Sequence, residues 1–317
     1  MIRRLLILVS LASYVLGSAA VVLHYLGVTS NTVARFASVA PCMILAAAAG
    51  VILALFTRRG WVIALGVLVV AAGVATQLPL YLGTTEPRGD DELTVLQANI
   101  YLGRADIGAL ARTVHENDVD VLTVSELTDD ALTRIQGSSI VRDLPHAVTY
   151  PVKEGGGIGI FSRFPLENGT RLDGFKMANA RAEAVIDGER FAVYALHPLP
   201  PWPQPAWRWE LELRRLTGLL RDEPLPTIAG GDFNSTYDHV PLRRLIEESG
   251  TVDAAESTGA GVVATYPANR ALVPAVLAID RVLTGPGWTD RTPTAMSFER
   301  VELPGSDHHG VVARIRK

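Results

Sequence analysis

The chain opens with three apolar runs, residues 5–28, 36–56 and 61–82, none of which contains Asp, Glu, Lys or Arg. A helix needs roughly 20 residues to cross about 30 Å of hydrocarbon, and each run reaches that length. The pattern predicts three transmembrane helices. Pro41 falls near the start of the second run, where a missing N–H costs least. From residue 93 onward, short apolar runs alternate with stretches of helical spacing. Strands are predicted at 93–100, 119–127, 146–152, 157–163, 180–186, 190–197, 226–234, 278–284 and 309–315, and helices at 105–117, near 128–136 and at 207–221. Strands interleaved with helices predict an α/β sandwich with its sites at strand ends. The chain divides into an anchor (1–82), a short polar linker (83–92, GTTEPRGDDE) and a large domain (93–317).

Charge sharpens that division. Residues 1–82 hold five arginines (Arg3, Arg4, Arg35, Arg58, Arg59) and no acidic residue, while residues 83–317 carry 24 Lys+Arg against 33 Asp+Glu. Arg3 and Arg4 precede the first run, Arg58 and Arg59 fill the tight link between the second and third, and only Arg35 lies between the first two. Basic residues stay on the cytoplasmic side, so three crossings place the large domain outside a plasma membrane. The first run could also be a cleaved signal peptide, given its basic start and the small residues 17–20; two remaining spans would leave the domain on the same side. The single cysteine, Cys42, lies in the second run, so no disulfide supports the domain and a full-sized core must do so.

Polar residues recur where the apolar strands stop. Asn99, Glu126 and His197 each close one, and the stretch IAGGDFN ends in Asp232 and Asn234. In an extended chain those two share a face while Phe233 turns into the core, and Gly230 and Gly231 permit a close backbone approach; a turn with a capping Asn is the competing reading. Asp280 lies in a later strand, and Ser306, Asp307, His308 and His309 precede the last one. Hard carboxylate and amide oxygens suit Mg²⁺ rather than zinc, and imidazoles with carboxylate partners suit a developing anion. No G-x-S-x-G elbow is present. The set points to metal-assisted attack of water on a phosphoester.

QANI (97–100), SEL (125–127), GIGIFSRFP (157–165), GGDFN (230–234), AIDRVL (278–283) and GSDHHGV (305–311) resemble the endonuclease/exonuclease/phosphatase family in the family's order. The resemblance implies a four-layer αββα sandwich of two mixed sheets. It implies Mg²⁺, with Mn²⁺ able to substitute, held by Glu126 with Asn99 beside it and Asp307 near it. It also implies that Asp232 orients or deprotonates the attacking water and that Asn234 holds the phosphate and Asp232. His308 would bind phosphate with Asp280 as its carboxylate partner, and His197 would contact a second phosphate oxygen or the leaving group, with Glu154 as its candidate partner. His309 has no assigned role. Bacterial members with amino-terminal spans include the teicoplanin-resistance lipid-pyrophosphate phosphatases.

The substrate is then a phosphate ester or anhydride of some kind. Nucleic-acid binders cluster Lys and Arg, whereas this domain is acidic and its basic pairs, Arg214–Arg215 and Arg243–Arg244, read as solvated helix faces. The stretch HPLPPWPQPAWRW (197–209) follows His197 with five prolines and three tryptophans, Trp202, Trp207 and Trp209. It reads either as a stiff loop leading into the next helix or as an apolar lip at the bilayer surface. A membrane-anchored phosphohydrolase acting on a lipid phosphate or lipid-linked pyrophosphate is the expectation. An ectonuclease for DNA or RNA and a non-catalytic phosphate-headgroup-binding protein are the alternatives.

Overall fold

The central strands of the large domain are buried along nearly their whole length, because each of two facing sheets is covered by the other on one side and by helices on the other. The computed structural model describes residues 1–87, 92–270, 272–285 and 293–317. In chain order the strands are β1 (Glu92–Asn99), β2 (Val121–Ser125), β3 (His146–Tyr150), β4 (Ile158–Ser162), β5 (Leu166–Arg171) and β6 (Ala180–Ile186). They continue with β7 (Glu189–Leu196), β8 (Thr227–Asp232), β9 (Val252–Asp253), β10 (Asp280–Gly285), β11 (Thr294–Val301) and β12 (Gly310–Arg316). One sheet has the order β11-β12-β1-β2-β4-β3 and the other β5-β6-β7-β8-β10-β9. Each is mixed, with one parallel pair, β1–β2 or β7–β8, among antiparallel neighbours. Between them lies a core rich in small residues, with Ala180, Ala182, Ala184 and Ala195 packed against Val95, Val121 and Val311. Small side chains let the sheets approach. At Gly230 a Cβ would stand 2.3 Å from Thr123 Oγ1 of the facing sheet, so the close approach expected of this glycine is real.

Helices complete the outer layers. The anchor forms α1 (Ile2–Tyr25), α2 (Asn31–Ser38), α3 (Ala40–Leu55) and α4 (Gly60–Gln77), and α4 runs on into a 3-10 turn at Leu78–Tyr81. In the large domain α5 (Ile107–Glu116), α6 (Asp129–Gln136) and the short α7 (Ile140–Asp143) cover the first sheet through Leu110, Val114 and Ile135. Opposite them, α8 (Ala206–Arg221) and α9 (Val240–Ser249) cover the second through Leu213, Leu216 and Leu245, and α10 (Ala254–Ser257) is a single turn beside β10. Caps fit their chemistry: Asp106 accepts from Ala109 N at 3.1 Å and Thr128 from Ala131 N at 3.2 Å. The predicted helices at 105–117, 128–136 and 207–221 match α5, α6 and α8 closely.

The anchor departs from three uniform spans. Two helices are long and apolar enough to cross a membrane, Ile2–Tyr25 and Gly60–Tyr81. The run at 36–56 is not one helix: α2 and α3 meet at a 58° bend near Val39. Pro41 sits in the first turn of α3, where it starts a helix in a new direction. With 16 residues, α3 spans about 24 Å, short of the hydrocarbon thickness on its own. Large apolar side chains such as Leu8, Val15, Leu45, Phe56 and Leu68 are more than half exposed on these helices, as surfaces facing lipid are. Close packing at small residues joins them, and a Cβ on Gly17 would meet Ala47 Cβ at 2.6 Å.

The anchor and the large domain are docked together. Asp238 accepts from Gln77 Nε2 at 2.9 Å and pairs with His24 Nδ1 at 2.8 Å. Residues 83–87 of the predicted linker lie against the domain, where Thr84 N donates to Ser257 O and Glu86 N to Met296 O; residues 88–91 lie outside the described residues. Arg243, expected to be solvated, is half-buried and donates to His24 O and Tyr237 O.

His239 is a buried link in the same interface. Its Nδ1 accepts from Thr236 N at 2.9 Å, so its Nε2–H donates to Ala34 O of α2 at 2.9 Å. Burial pushes its pKa down from 6.5 to about 4, so the folded chain holds the ring neutral. The stability this supplies is complete above pH 6.5 and is lost as pH falls from 6.5 towards 4, where the unfolded chain binds a proton the folded one refuses. The expected loss is about 3 kcal/mol over that window. Unfolding measured in detergent across that pH range should show this slope, and a His239→Gln variant should show it reduced.

Candidate active site

The two parallel pairs create the site. β1 with β2 and β7 with β8 carry their carboxyl ends to one edge of the sandwich, so Asn99, Ser125, Leu196 and Asp232 end their strands there. β10 is antiparallel to β8 with Asp280 opposite Asp232, and β12 is antiparallel to β1. Their amino ends, with His308 just before β12, therefore come to that same edge.

Beyond the strands the backbone turns sharply. Glu126 has φ 63° and Asn234 φ 49°, left-handed conformations that cost a non-glycine residue of order 1–3 kcal/mol and are held only by surrounding contacts. At Glu126 those contacts are Asn99 Nδ2, which donates to Oε1 at 3.1 Å, and Leu102 N, which donates to Oε2 at 2.6 Å. β8 ends at Asp232, so Asn234 is a turn residue rather than part of the strand. Its N–H donates to Asp232 Oδ1 at 2.9 Å and its Nδ2 to Pro198 O at 3.0 Å. The alternation holds only as far as Phe233, which is fully buried among α8 and α9. The Asp-x-Asn stretch is a turn, and both of its polar side chains line one cavity.

That cavity holds about 600 Å³ and is lined by Glu126, His197, Asp232, Asn234, Asp307 and His308. Asp280 lies behind His308, accepting from Nδ1 at 2.7 Å. His308 Nε2 is 3.7 Å and His197 Nε2 3.6 Å from Asp232 Oδ2. Burial pushes the His308 pKa down, but the carboxylates of Asp280 and Asp232 override it and raise it to about 10. The ring is an imidazolium at neutral pH. Burial and the neighbouring Asp280 push the Asp232 carboxyl up, while burial holds His197 down and neutral. Asp232, Asp280 and His308 lie close enough to hold a cation among themselves. His308 donates to Asp280 while its Nε2 stays 3.7 Å from Asp232 Oδ2, and a protonated ring there disfavours a cation at the same point.

Oxygen donors fit a hard divalent cation elsewhere in the cavity. Glu126 and Asp307 both line it, and Asp307 Oδ1 is buried without a hydrogen-bond partner. Asn99, expected as a ligand beside Glu126, presents its amide nitrogen to both Glu126 and Asp232, the latter at 3.0 Å. Its oxygen accepts from Tyr101 N at 3.0 Å, which fixes the amide's orientation. In this arrangement Asn99 binds the two carboxylates together, and Glu126 and Asp307 are the carboxylates left whose oxygens could take a cation.

Two expectations fail here. Glu154 is exposed on its turn, and the carboxylate facing His197 is Asp232. Trp209 is a core residue, 2% exposed, whose Nε1 donates to Ser235 Oγ at 2.9 Å. Trp202 does stand at the cavity mouth, and Trp207 is exposed on the first turn of α8. His309 is not among the cavity-lining residues, and its N–H donates to Thr265 O.

Further residues support the site without a role having been expected of them. Gln97 Nε2 reaches Asp280 Oδ1 at 3.4 Å and its Oε1 accepts from Thr123 at 2.6 Å. Gln97 lies two residues before Asn99, on the same strand face, and that spacing was the available signal. Ser306 Oγ donates to Asn99 O at 2.7 Å and accepts from His308 N at 3.0 Å, tying the last loop to β1. Asn179 accepts from His197 N at 2.6 Å, and Tyr266 lies against His308 with ring centroids 4.9 Å apart.

Residues 96–308 match the profile of the Endonuclease/Exonuclease/phosphatase family. No curated protein sequence matches the chain. Among solved structures, a humanised D. rerio TDP2 with 14 mutations superposes with a TM-score of 0.59 at 15% identity, covering 72% of this chain and 100% of that one. SmcL gives a TM-score of 0.55 at 14% identity, covering 71% of this chain and 99% of that one. Sphingomyelinase C from Streptomyces griseocarneus gives 0.51 at 14%, with coverage of 71% and 99%. At such identities the superpositions speak to the fold, and the profile match, from β1 through His308, speaks to ancestry. The chain belongs to the Endonuclease/Exonuclease/phosphatase family.

Proposed function

We propose that the protein is a membrane-anchored, divalent-metal-dependent phosphohydrolase acting on a lipid phosphate or lipid-linked pyrophosphate. One observation carries the choice of substrate: the anchor forms part of the active-site wall, with Arg35, Ser38 and Val39 lining the cavity beside Asp232 and His308. A substrate embedded in the bilayer meets a cavity built this way without leaving the membrane surface. Trp202, 54% exposed at the cavity mouth, has the amphipathic ring favoured at that surface.

Asp232, with its carboxyl raised by burial, is suited to take a proton from the attacking water. The His308 imidazolium, sustained by Asp280, offers positive charge to the phosphoryl oxygens, and Asn234 and His197 complete the polar lining. Glu126 and Asp307 would hold Mg²⁺, which supplies Lewis-acid polarisation of a phosphoryl oxygen when bound. The orientation proposed from the sequence has support at the far end of the anchor. There Arg3 donates to Thr57 O at 2.8 Å beside Arg58 and Arg59, opposite the end that holds the large domain. The positive end belongs in the cytoplasm, with the active site outside the plasma membrane.

Nuclease action on external DNA or RNA uses the same chemistry, but the charges weigh against it. Arg181 is paired with Glu223 at 2.7 Å and Arg243 is consumed at the anchor interface. The test is orthophosphate release from polyprenyl pyrophosphate by detergent-solubilised full-length protein, stripped with a chelator and then given Mg²⁺. Release restored by the metal is expected. Release indifferent to chelation contradicts the metal role, and no release under any metal supports a headgroup-binding protein.

A further inference from the structure

We infer that Arg35 is a substrate-binding residue, forming an anion subsite for a second phosphate group beyond the one that is cleaved. The inference rests on the phosphohydrolase reading of the same cavity and adds the class of substrate, a diphosphate in preference to a monophosphate.

Arg35 does not come from the catalytic fold at all. It lies on α2, in the loop region between the first two apolar runs, and α2 is fastened to the rim of the cavity at several points. Asn31 Nδ2 donates to Pro201 O at 2.9 Å and to Gln204 O at 2.7 Å, and its oxygen accepts from Ala206 N at 3.2 Å. One turn later, Ala34 O accepts from the buried His239 at 2.9 Å. These bonds hold α2 in one register against the 199–204 loop, and that register puts the Arg35 guanidinium over the Trp202 ring, 3.3 Å from its centroid. Stacking on an aromatic face orients a guanidinium and leaves its N–H edge free to meet an anion.

Charge gives the subsite its purpose. Glu126, Asp232 and Asp307 line the cavity with His197 and His308, and Arg35 is the sole Lys or Arg among the described residues that line it. A divalent cation held by Glu126 and Asp307 would offset one phosphoryl group beside those carboxylates. A second phosphate needs a further cation at the mouth, and a planar fork that binds phosphate through paired N–H donors is the side chain best shaped for it. The exposed positions of Arg35 and Trp202 place this cation at the outer rim, where the part of the substrate leading to the membrane must pass.

Binding of inorganic pyrophosphate and orthophosphate to full-length Asp232→Asn protein in detergent with Mg²⁺ tests the subsite without requiring turnover. Pyrophosphate should bind more tightly than orthophosphate. Arg35→Gln in that background should weaken pyrophosphate roughly ten- to hundredfold and orthophosphate by less than about threefold, with Arg35→Lys falling between. Trp202→Ala, which removes the platform and keeps the charge, should give a smaller loss of the same kind. Equal weakening of both anions, or none, overturns the inference. Turnover of polyprenyl pyrophosphate and polyprenyl monophosphate by Arg35→Gln separates the two proposals. A raised KM for the diphosphate alone, with kcat retained, supports both. If the wild type hydrolyses neither lipid while Arg35 still discriminates the inorganic anions, the lipid reading fails and the subsite stands.

Discussion

Asp232→Asn should lower phosphate release by about a thousandfold or more while leaving the fold intact. The substitution preserves shape and volume, so Phe233 remains buried and the register of β8 against β10 is undisturbed. It removes the one carboxylate that both histidines face, His197 at 3.6 Å and His308 at 3.7 Å, and with it the proposed base. General-base catalysis contributes about 10²–10⁴, and an amide cannot accept the proton. His308 also loses one of the two carboxylates that keep it charged, which adds to the loss. A steady-state phosphate assay with circular dichroism of the same preparation measures both effects. Activity within tenfold of wild type would remove Asp232 from the chemistry.

Glu126→Gln should cost about a hundredfold or more in activity at low Mg²⁺, with partial recovery at high Mg²⁺. Its carboxylate is held by Asn99 and Leu102 N, and replacing one oxygen with an amide nitrogen places a donor against a donor. The charge that would attract a divalent cation falls by one, leaving Asp307 as the remaining carboxylate on that side of the cavity. Titration of activity against Mg²⁺ should show the midpoint moved to higher concentration. An unmoved midpoint would place the metal elsewhere. Relief of the left-handed strain at Glu126 is not expected, since Gln meets the same barrier at φ 63°.

The candidate positions were legible because Asn99 and Asp232 close buried strands and His308 lies just before one. Asn99, Asp232 and His308 could be named from that pattern and gathered by the order of their motifs. What the pattern could not carry was conformation beyond the strand ends. The strand containing Asp232 ends there, and the left-handed turn that aims Asn234 has no hydrophobic signature. Two edge strands, β5 and β11, were missed for a related reason. β5 is exposed along most of its length, so no buried face imposes alternation on LENGTR, and β11 carries a bulge between Ala295 and Ser297 that breaks its period.

The anchor hid the most. Hydropathy sees 36–56 as one run, because Phe36 and Ala37 are as apolar as the residues after Pro41, and the 58° bend near Val39 leaves no mark on it. Arg35 looked like a lone loop charge. Only the bonds from Asn31 to the 199–206 loop, 170 residues and more along the chain, bring it to the active site.

The decisive measurement is the ratio of kcat/KM for polyprenyl pyrophosphate to that for duplex DNA, using full-length protein in detergent with Mg²⁺ and Asp232→Asn as control. A ratio far above one, with both activities lost in the variant, is the expected result. Efficient DNA cleavage with the lipid untouched would contradict it, and would mean that the anchor wall beside the cavity does not select the substrate.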